Sequence, residues 1–305
     1  MPADRKYGMD HPHHNWSPLI KRNPLEWPDK ARVALCVVVT LEHLEWEVPN
    51  GAFESSSVAG GVSPRPRPDF AKYSHRDYGH RVGIYRVLDV LKKNGIKPTI
   101  ALDALTAEHY PYLVRYCREQ GCEFIGHGIS VSRMINSGMS TKEEEEYITN
   151  SIETVTSATG VRPNGWFGPE YGESANTPQI LAQAGLSYAC DWVNDEQPFP
   201  MTTADGELYG LPLLYELDDI KAMWDTRLSP SEYETRLKDG FDCLYHDGAT
   251  TGRLMAFKLH PWVIGQPYRI SYLDRALSYI TAKQGVWAAS GSDIISWYRD
   301  HQQGA

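Results

Sequence analysis

Apolar positions fall in blocks that switch between two periods along the chain. Val33 to Leu41 (VALCVVVTL) is a continuous β-branched run, the pattern of a strand covered on both faces. Gly83 to Asn94 carries Ile84, Val87, Leu88 and Leu91 at helical spacing, and Gly95 closes it as a C-terminal cap. Pro98–Leu102 then reads as a strand, Thr106–Gln120 as a helix ended by Gly121, and Glu123–Gly126 as a short strand. Ser140-Thr-Lys-Glu143 has the form of a capping box, followed by Ile148, Ile152 and Val155 on one face until Gly160. Asn176-Thr-Pro-Gln opens a helix with proline in its first turn, and Gly185 ends it. Tyr188–Trp192 and Leu208–Leu214 are strands, and Ser229-Pro-Ser-Glu232 opens a helix to about Tyr245. Leu254–Leu259 is a buried-type strand, Ile270–Lys283 a helix, Val286–Ala289 a last strand and Asp293–His301 a closing helix. Repeated strand–helix units without a linker after residue 80 predict one α/β domain. Seven or eight such units suit a closed or nearly closed barrel better than an open sheet.

Two segments fall outside that rhythm. Residues 1–32 are polar and punctuated by Pro2, Pro12, Pro18, Pro24 and Pro28, which reads as an extended arm over the body or a neighbouring subunit, leaving 33–305 as the barrel. From Glu42 to Tyr78 the chain reads as a long loop with Gly60-Gly61 and a Pro64-Arg-Pro-Arg-Pro68 stretch. Following the first strand, it is expected to lie over the barrel mouth and help set specificity.

Composition narrows the function. The formal net charge of −9 without a basic cluster disfavours nucleic acid and anionic membrane surfaces as partners. No apolar run approaches the roughly 18 residues of a spanning helix, and MPADRKYGMDHPHHNW has no apolar core of a signal peptide. The five cysteines show no zinc-ribbon or thioredoxin spacing and read as reduced packing residues, so a cytoplasmic location is expected. Trp and Tyr greatly outnumber Phe, which suits a wet cleft lined by flat side chains and a small-molecule substrate.

In a parallel barrel, reactive side chains project from the C-terminal ends of strands. That rule selects Glu42 and His43 after the first strand, His127 after Glu123–Gly126, and Trp166 and Glu170 after Arg162-Pro-Asn-Gly. It also selects Asp191 and Trp192, then Asp218 and Asp219, then His260 after Ala256-Phe-Lys-Leu. Two histidines, carboxylates and tryptophans on one rim suit general acid–base attack of water on a carbonyl. Each residue also has a plainer reading: a strand-end histidine as a hydrogen-bonded structural group, Trp166 as a core plug, Asp218-Asp219 as a solvated turn. His11, His13 and His14 read as incidental, and Glu143–Glu146 as the acidic first turn of a helix.

Several of these segments resemble the polysaccharide-deacetylase superfamily (NodB homology), in particular its allantoinase-like and cyclic-imide-hydrolase-like branch. The resemblance rests on Tyr78-Gly79 leading to Arg81, on Gly126-His127-Gly128, on Arg162-Pro-Asn-Gly-Trp166, and on Leu259-His260-Pro261 with Ile264-Gly-Gln-Pro-Tyr-Arg-Ile270 after it. It implies a distorted (β/α)7–8 barrel and a hydrolase of non-peptide C–N bonds acting on a small cyclic amide, imide or ureide. Carbohydrate N-deacetylation with a metal and a non-catalytic ligand-binding barrel are the alternatives.

Metal-using members of that superfamily carry Thr-Phe-Asp-Asp and His-x-x-x-His. Here the first motif reads Thr40-Leu-Glu42-His43, and the residue four beyond His127 is Val131. Catalytic zinc normally takes three protein donors. Glu42 or Glu45 with His43 and His127 would be needed to rebuild such a set, so metal-independent catalysis is preferred and zinc at His43 and His127 is the alternative. By resemblance Glu42 is the base, its pKa expected to be raised by burial, and His260 the acid, with Asp219 orienting it. His127 positions water or the oxyanion. His43, Arg81, Trp166, Glu170, Trp192 and Asp219 are expected around the substrate, with Arg162 holding the mouth. The resemblance and the arm together suggest a homo-oligomer.

Overall fold

The computed structural model describes residues 10–53 and 68–301. Residues 54–67, with Gly60, Gly61 and most of the proline stretch, lie outside the described residues, as do 1–9 and 302–305. The strands are β1 (Val33–Leu41), β2 (Thr99–Leu102), β3 (Glu123–Gly126), β4 (Gly165–Trp166), β5 (Tyr188–Ala189), β6 (Phe199–Pro200), β7 (Tyr209–Gly210), β8 (Arg253–Leu259) and β9 (Val286–Ala288). They form one sheet in the order β6-β7-β5-β4-β3-β2-β1-β8, with β9 beside the first residues of β1. Every pairing is parallel except β6 with β7. Between β8 and the far edge there are single bonds instead of a ladder. Leu254 N–H donates to the Glu196 carbonyl at 2.7 Å and Leu214 N–H to that of Ala256 at 2.7 Å. The result is a distorted barrel.

The helices are α1 (Phe70–Tyr78), α2 (Ile84–Lys93), α3 (Ala104–His109), α4 (Pro111–Glu119), α5 (Thr141–Thr159), α6 (Thr177–Gln183), α7 (Pro230–Asp247), α8 (Pro261–Ile264), α9 (Ile270–Thr281) and α10 (Gly291–His301). Three of them differ from the sequence reading. The single helix expected over 106–120 is split at Tyr110, because Pro111 supplies no N–H to continue it. The stretch expected to be loop up to Tyr78 contains α1, whose first turn is capped by Asp69 accepting from Lys72 N–H at 3.1 Å. A π-type turn over Gly79–Gly83 joins α1 to α2.

Side-chain parity explains where the site must lie. Successive strand residues face opposite sides. Val33, Leu35, Val37, Val39 and Leu41 pack outward among residues of α2, α7 and α9, whereas Ala34, Cys36 and Val38 pack inward with Ala101, Ile125, Phe167, Leu254 and Ala256. These inner residues are mostly small, as a narrow barrel requires. Continuing the inward series past each strand's C-terminal end reaches Glu42 from β1, His127 from β3, and Lys258 then His260 from β8. All four are buried.

The π-type turn is held close to the segment after β8. A Cβ on Gly79 would meet Trp262 N at 2.9 Å, and one on Gly83 would lie 2.0 Å from the Pro261 carbonyl oxygen. Gly83→Ala must therefore displace the backbone next to His260. We expect it to lower stability by about 1–3 kcal/mol, seen as a reduced denaturant midpoint; an unchanged midpoint would show that the contact yields freely.

The described part of the arm lies on its own chain. Leu25 and Trp27 are buried, Trp27 Nε1 donates to the Arg253 carbonyl at 2.8 Å, and Arg22 pairs with Asp195 at 2.5 Å. No helix among the described residues is long and apolar enough to cross a membrane.

Candidate active site

Glu42 sits one residue beyond β1 with both carboxylate oxygens engaged. Arg76 Nη1, from α1, donates to Oε2 at 2.9 Å, and His127 Nε2 lies 3.1 Å from Oε1. The guanidinium also stacks over Trp262, 4.7 Å from the ring centre. Burial alone would raise the Glu42 carboxyl, but His260, His127 and Arg76 outweigh it and hold the group well below the usual carboxylate range. The raised value expected from burial is thus reversed by three neighbouring side chains.

His127 is fixed from both ends. Its Nδ1 lies 2.5 Å from the Phe167 carbonyl oxygen, so Nδ1 carries a hydrogen, and its ring stacks on Phe167 at 4.9 Å and 14°. A neutral ring would then present a bare Nε2 to a carboxylate oxygen. The 3.1 Å contact therefore holds a proton between His127 and Glu42.

His260 is held by Asp219 through two contacts. Its backbone N–H donates to Oδ2 at 3.0 Å and its ring Nδ1 to Oδ1 at 2.5 Å. Its Nε2 is buried with no hydrogen-bond partner among the described residues, 3.8 Å from Glu42 Oε1. Burial lowers the His260 pKa, yet Asp219 and Glu42 more than offset it, and the imidazole is raised above its ordinary value. A raised group contributes stability that is present below the unfolded value, near 6.5, and lost as pH rises through the folded one. Asp219→Asn removes the first of those charges. We expect the alkaline limb of kcat/KM to move to lower pH, with the neutral-pH rate down about 100-fold; an unmoved limb would assign Asp219 a packing role alone.

Lys258, absent from the sequence reading, lies inside the barrel two residues before His260. Its Nζ is 3.1 Å from Asp218 Oδ2 and 4.2 and 4.8 Å from the ring centres of Tyr171 and Phe167. Burial lowers the ammonium, and Asp218, Glu170 and Glu42 raise it above its usual value overall. Glu170 and Tyr171 both adopt left-handed backbone, φ 53° and 60°, in a turn that brings the tyrosine over this lysine. The signal for Lys258 was present: a cation at an inward position of an otherwise apolar strand.

Four expected substrate contacts fall elsewhere. Trp166 has outward parity and packs in a cluster with Ile148, Ile152 and Leu181, its ring filling the space that a Cβ on Gly126 would occupy; its neighbour Phe167 is the residue facing the site. Arg81 is three-quarters exposed and pairs with Asp77 at 3.5 Å. Arg81 lies in the π-type turn with its side chain in solvent, whereas Arg76, at the end of α1, turns to Glu42. Trp192 donates Nε1 to Glu173 at 2.8 Å and is surrounded by His11, His13 and His14, so the histidines read as incidental form its cover. His43 turns its ring to His109, Tyr73 and Tyr110, and burial followed by the charge of His109 lowers its pKa. Arg162 is exposed and donates to the Ala184 carbonyl at 2.7 Å.

These positions also test the metal set that the motifs bring to mind. Glu42 is occupied by Arg76 and His127, and Val131 packs with Leu44 and Tyr73. Glu45 is held by Arg133 at 2.8 Å and Ser130 at 2.6 Å. Among the described residues, the group of three donors close enough for one ion is Asp218, Asp219 and His260. Those side chains already neutralise Lys258 and one another. The donors do not fit a catalytic zinc at Glu42, His43 and His127.

Residues 73–189, which include Arg76 and His127, match the family model for polysaccharide deacetylase. That stretch is similar to polysaccharide deacetylase. The chain is 28% identical to a Schizosaccharomyces pombe protein named after polysaccharide deacetylase, over 92% of this chain and 94% of that one. Puue allantoinase superposes with a TM-score of 0.80 at 26% identity, covering 93% of this chain and 96% of the other. A Pseudomonas aeruginosa PAO1 structure described as a probable polysaccharide deacetylase superposes with a TM-score of 0.79 at 28% identity, over 90% and 94%. The structural neighbours thus include one named as an allantoinase and one described as a polysaccharide deacetylase.

Proposed function

We propose that this hydrolase opens the ring of a small cyclic amide, imide or ureide, with Glu42 as the base that takes a proton from water and His260 as the acid that protonates the leaving nitrogen. The observation carrying this reading is the buried His260 Nε2. It has no hydrogen-bond partner among the described residues, its other nitrogen is fixed by Asp219, and it faces the Glu42 carboxylate across 3.8 Å. A buried donor left open in this way is costly unless something else uses it. On a substrate seated over both groups, the water that Glu42 deprotonates would attack the carbonyl carbon, and as the C–N bond breaks His260 would give its proton to the leaving nitrogen. His127 stays bonded to Glu42 Oε1 and directs the carboxylate towards that water.

The depressed Glu42 pKa makes it a weak base. Weak bases suffice for electron-poor carbonyls with a good leaving nitrogen, which is what a strained imide or a ureide ring offers. An unactivated N-acetyl group would demand stronger polarisation than these side chains supply. The likeness to Puue allantoinase over nearly the whole chain supports the same reading.

N-deacetylation of a carbohydrate is the second reading, favoured by the names of the relatives, among them a Helicobacter pylori peptidoglycan deacetylase 22% identical over 68% of this chain. Assaying hydantoin, succinimide and allantoin beside N-acetylated chito-oligosaccharides separates the two. Ring opening, read as one new carboxylate per turnover, is expected with at least one cyclic substrate. Acetate release from the sugars with every ring left intact would overturn the proposal in favour of deacetylation.

A further inference from the structure

At the opposite end of the barrel, two cysteines meet in a helix-stop motif. Helix α4 ends at Gln120, and Gly121 takes the left-handed conformation, φ 76°. Gly121 N–H donates to the Arg118 carbonyl at 2.9 Å and Cys122 N–H to the Cys117 carbonyl at 3.3 Å. This double bond pattern brings the side chains two places past the helix cap and three before it into contact. Those positions are commonly apolar; here both are cysteines, and the two backbone bonds set their side chains side by side. Cys117 is buried, whereas Cys122 is half-buried and lines a surface cleft of about 300 Å³ with Lys97, Gly95 and Gln120. An attacking thiol open to solvent thus has a second, protected thiol directly behind it.

We propose that Cys117 and Cys122 are a reversible oxidation site that closes to a disulfide when the protein meets a hydroperoxide. The Cys122 thiolate attacks one peroxide oxygen; the O–O bond breaks, the leaving oxygen takes a proton and departs as alcohol or water, and Cys122 becomes a sulfenic acid. Cys117 sulfur then attacks Cys122 sulfur. The S–S bond forms, the hydroxyl leaves with the Cys117 proton as water, and the two sulfurs together have given two electrons to the peroxide. The neighbouring Cys117 lowers the Cys122 thiol despite burial, and Lys97 adds to this, while Cys122 and burial raise Cys117. This division suits an attacking and a resolving thiol. Cys243 is exposed on α7 and serves as an internal reference, with Cys36 and Cys190 buried elsewhere.

The test is treatment of the reduced full chain with equimolar hydrogen peroxide, followed by thiol blocking and tryptic mapping. Arg118 separates the two cysteines, so closure appears as residues 116–118 joined to residues 119–133. The expected result is that linked peptide, loss of two of the five free thiols, and reversal by a dithiol reductant. Cys122→Ser should abolish the linkage and Cys243→Ser should leave it intact. All five thiols surviving, or Cys122 passing to a sulfinic acid with Cys117 still free, would overturn the proposal. The unsubstituted chain gives the deciding result, so a poorly folding variant does not obscure it.

Discussion

Glu42→Gln should reduce turnover about 1,000-fold or more while leaving substrate binding and the fold in place. Glutamine keeps the shape and still offers a carbonyl oxygen to Arg76 and an N–H₂ group to a neutral His127, so the buried contacts around position 42 can be rebuilt. What it cannot do is accept a proton from water. Its expected signature is therefore a collapse of kcat with a KM close to that of the parent, which removal of a group acting only in the transition state produces. Near-parental kcat would end the assignment of Glu42 as base. A large rise in KM with kcat retained would make Glu42 a binding group.

Arg76→Met should be the most destabilising single change at the site. The Arg76–Glu42 pair is almost fully buried, with side chains 3% and 2% exposed, so solvent screens it little. Removing one partner leaves a carboxylate in a dry environment, at a cost of about 3–5 kcal/mol. The substitution also moves the pH dependence in a defined direction. Glu42 is held low in the folded chain, so its contribution to stability is present above the unfolded value, near 4.3, and is lost as pH falls through the folded one. Without the guanidinium the folded value rises. Acid loss of stability and the acid limb of kcat/KM should then both begin at higher pH than in the parent. Denaturant titrations at several pH values test this, with the Arg76→Met, Glu42→Gln double variant as control, because removing both charges should recover much of the lost stability. Equal destabilisation by the single and double variants would show that Arg76 matters through its packing on Trp262 and not through its charge.

What could be read from the sequence followed from local rules. The apolar run of β1 and the capping boxes at Ser140 and Ser229 appear in the structure where the pattern put them. Glu42, His127 and His260 meet because strand ends of one parity converge on one barrel mouth, and strand ends are legible. The same parity argument, carried further, would have turned Trp166 outward and exposed Lys258 as an inward cation. Arg76 was harder to see. Phe70–Tyr78 buries Arg76 alone and so shows no apolar core face, and the Asp69 cap marks its start. Its guanidinium reaches Glu42 across 34 positions of chain, a contact no local pattern specifies. The cover of Trp192 by arm histidines is likewise a tertiary event. The loss of a metal ligand at Val131 was legible residue by residue, but only the structure shows that Arg76 and His127 occupy the Glu42 oxygens.

The proposed use of side-chain groups in place of a metal is what a metal-stripped assay addresses. The measurement is kcat/KM on the best cyclic amide substrate before and after exhaustive chelation, with the bound metal of each sample quantified. The account predicts an unchanged rate at metal contents far below stoichiometric. A rate that vanishes with the metal and returns on adding one equivalent of zinc would contradict it.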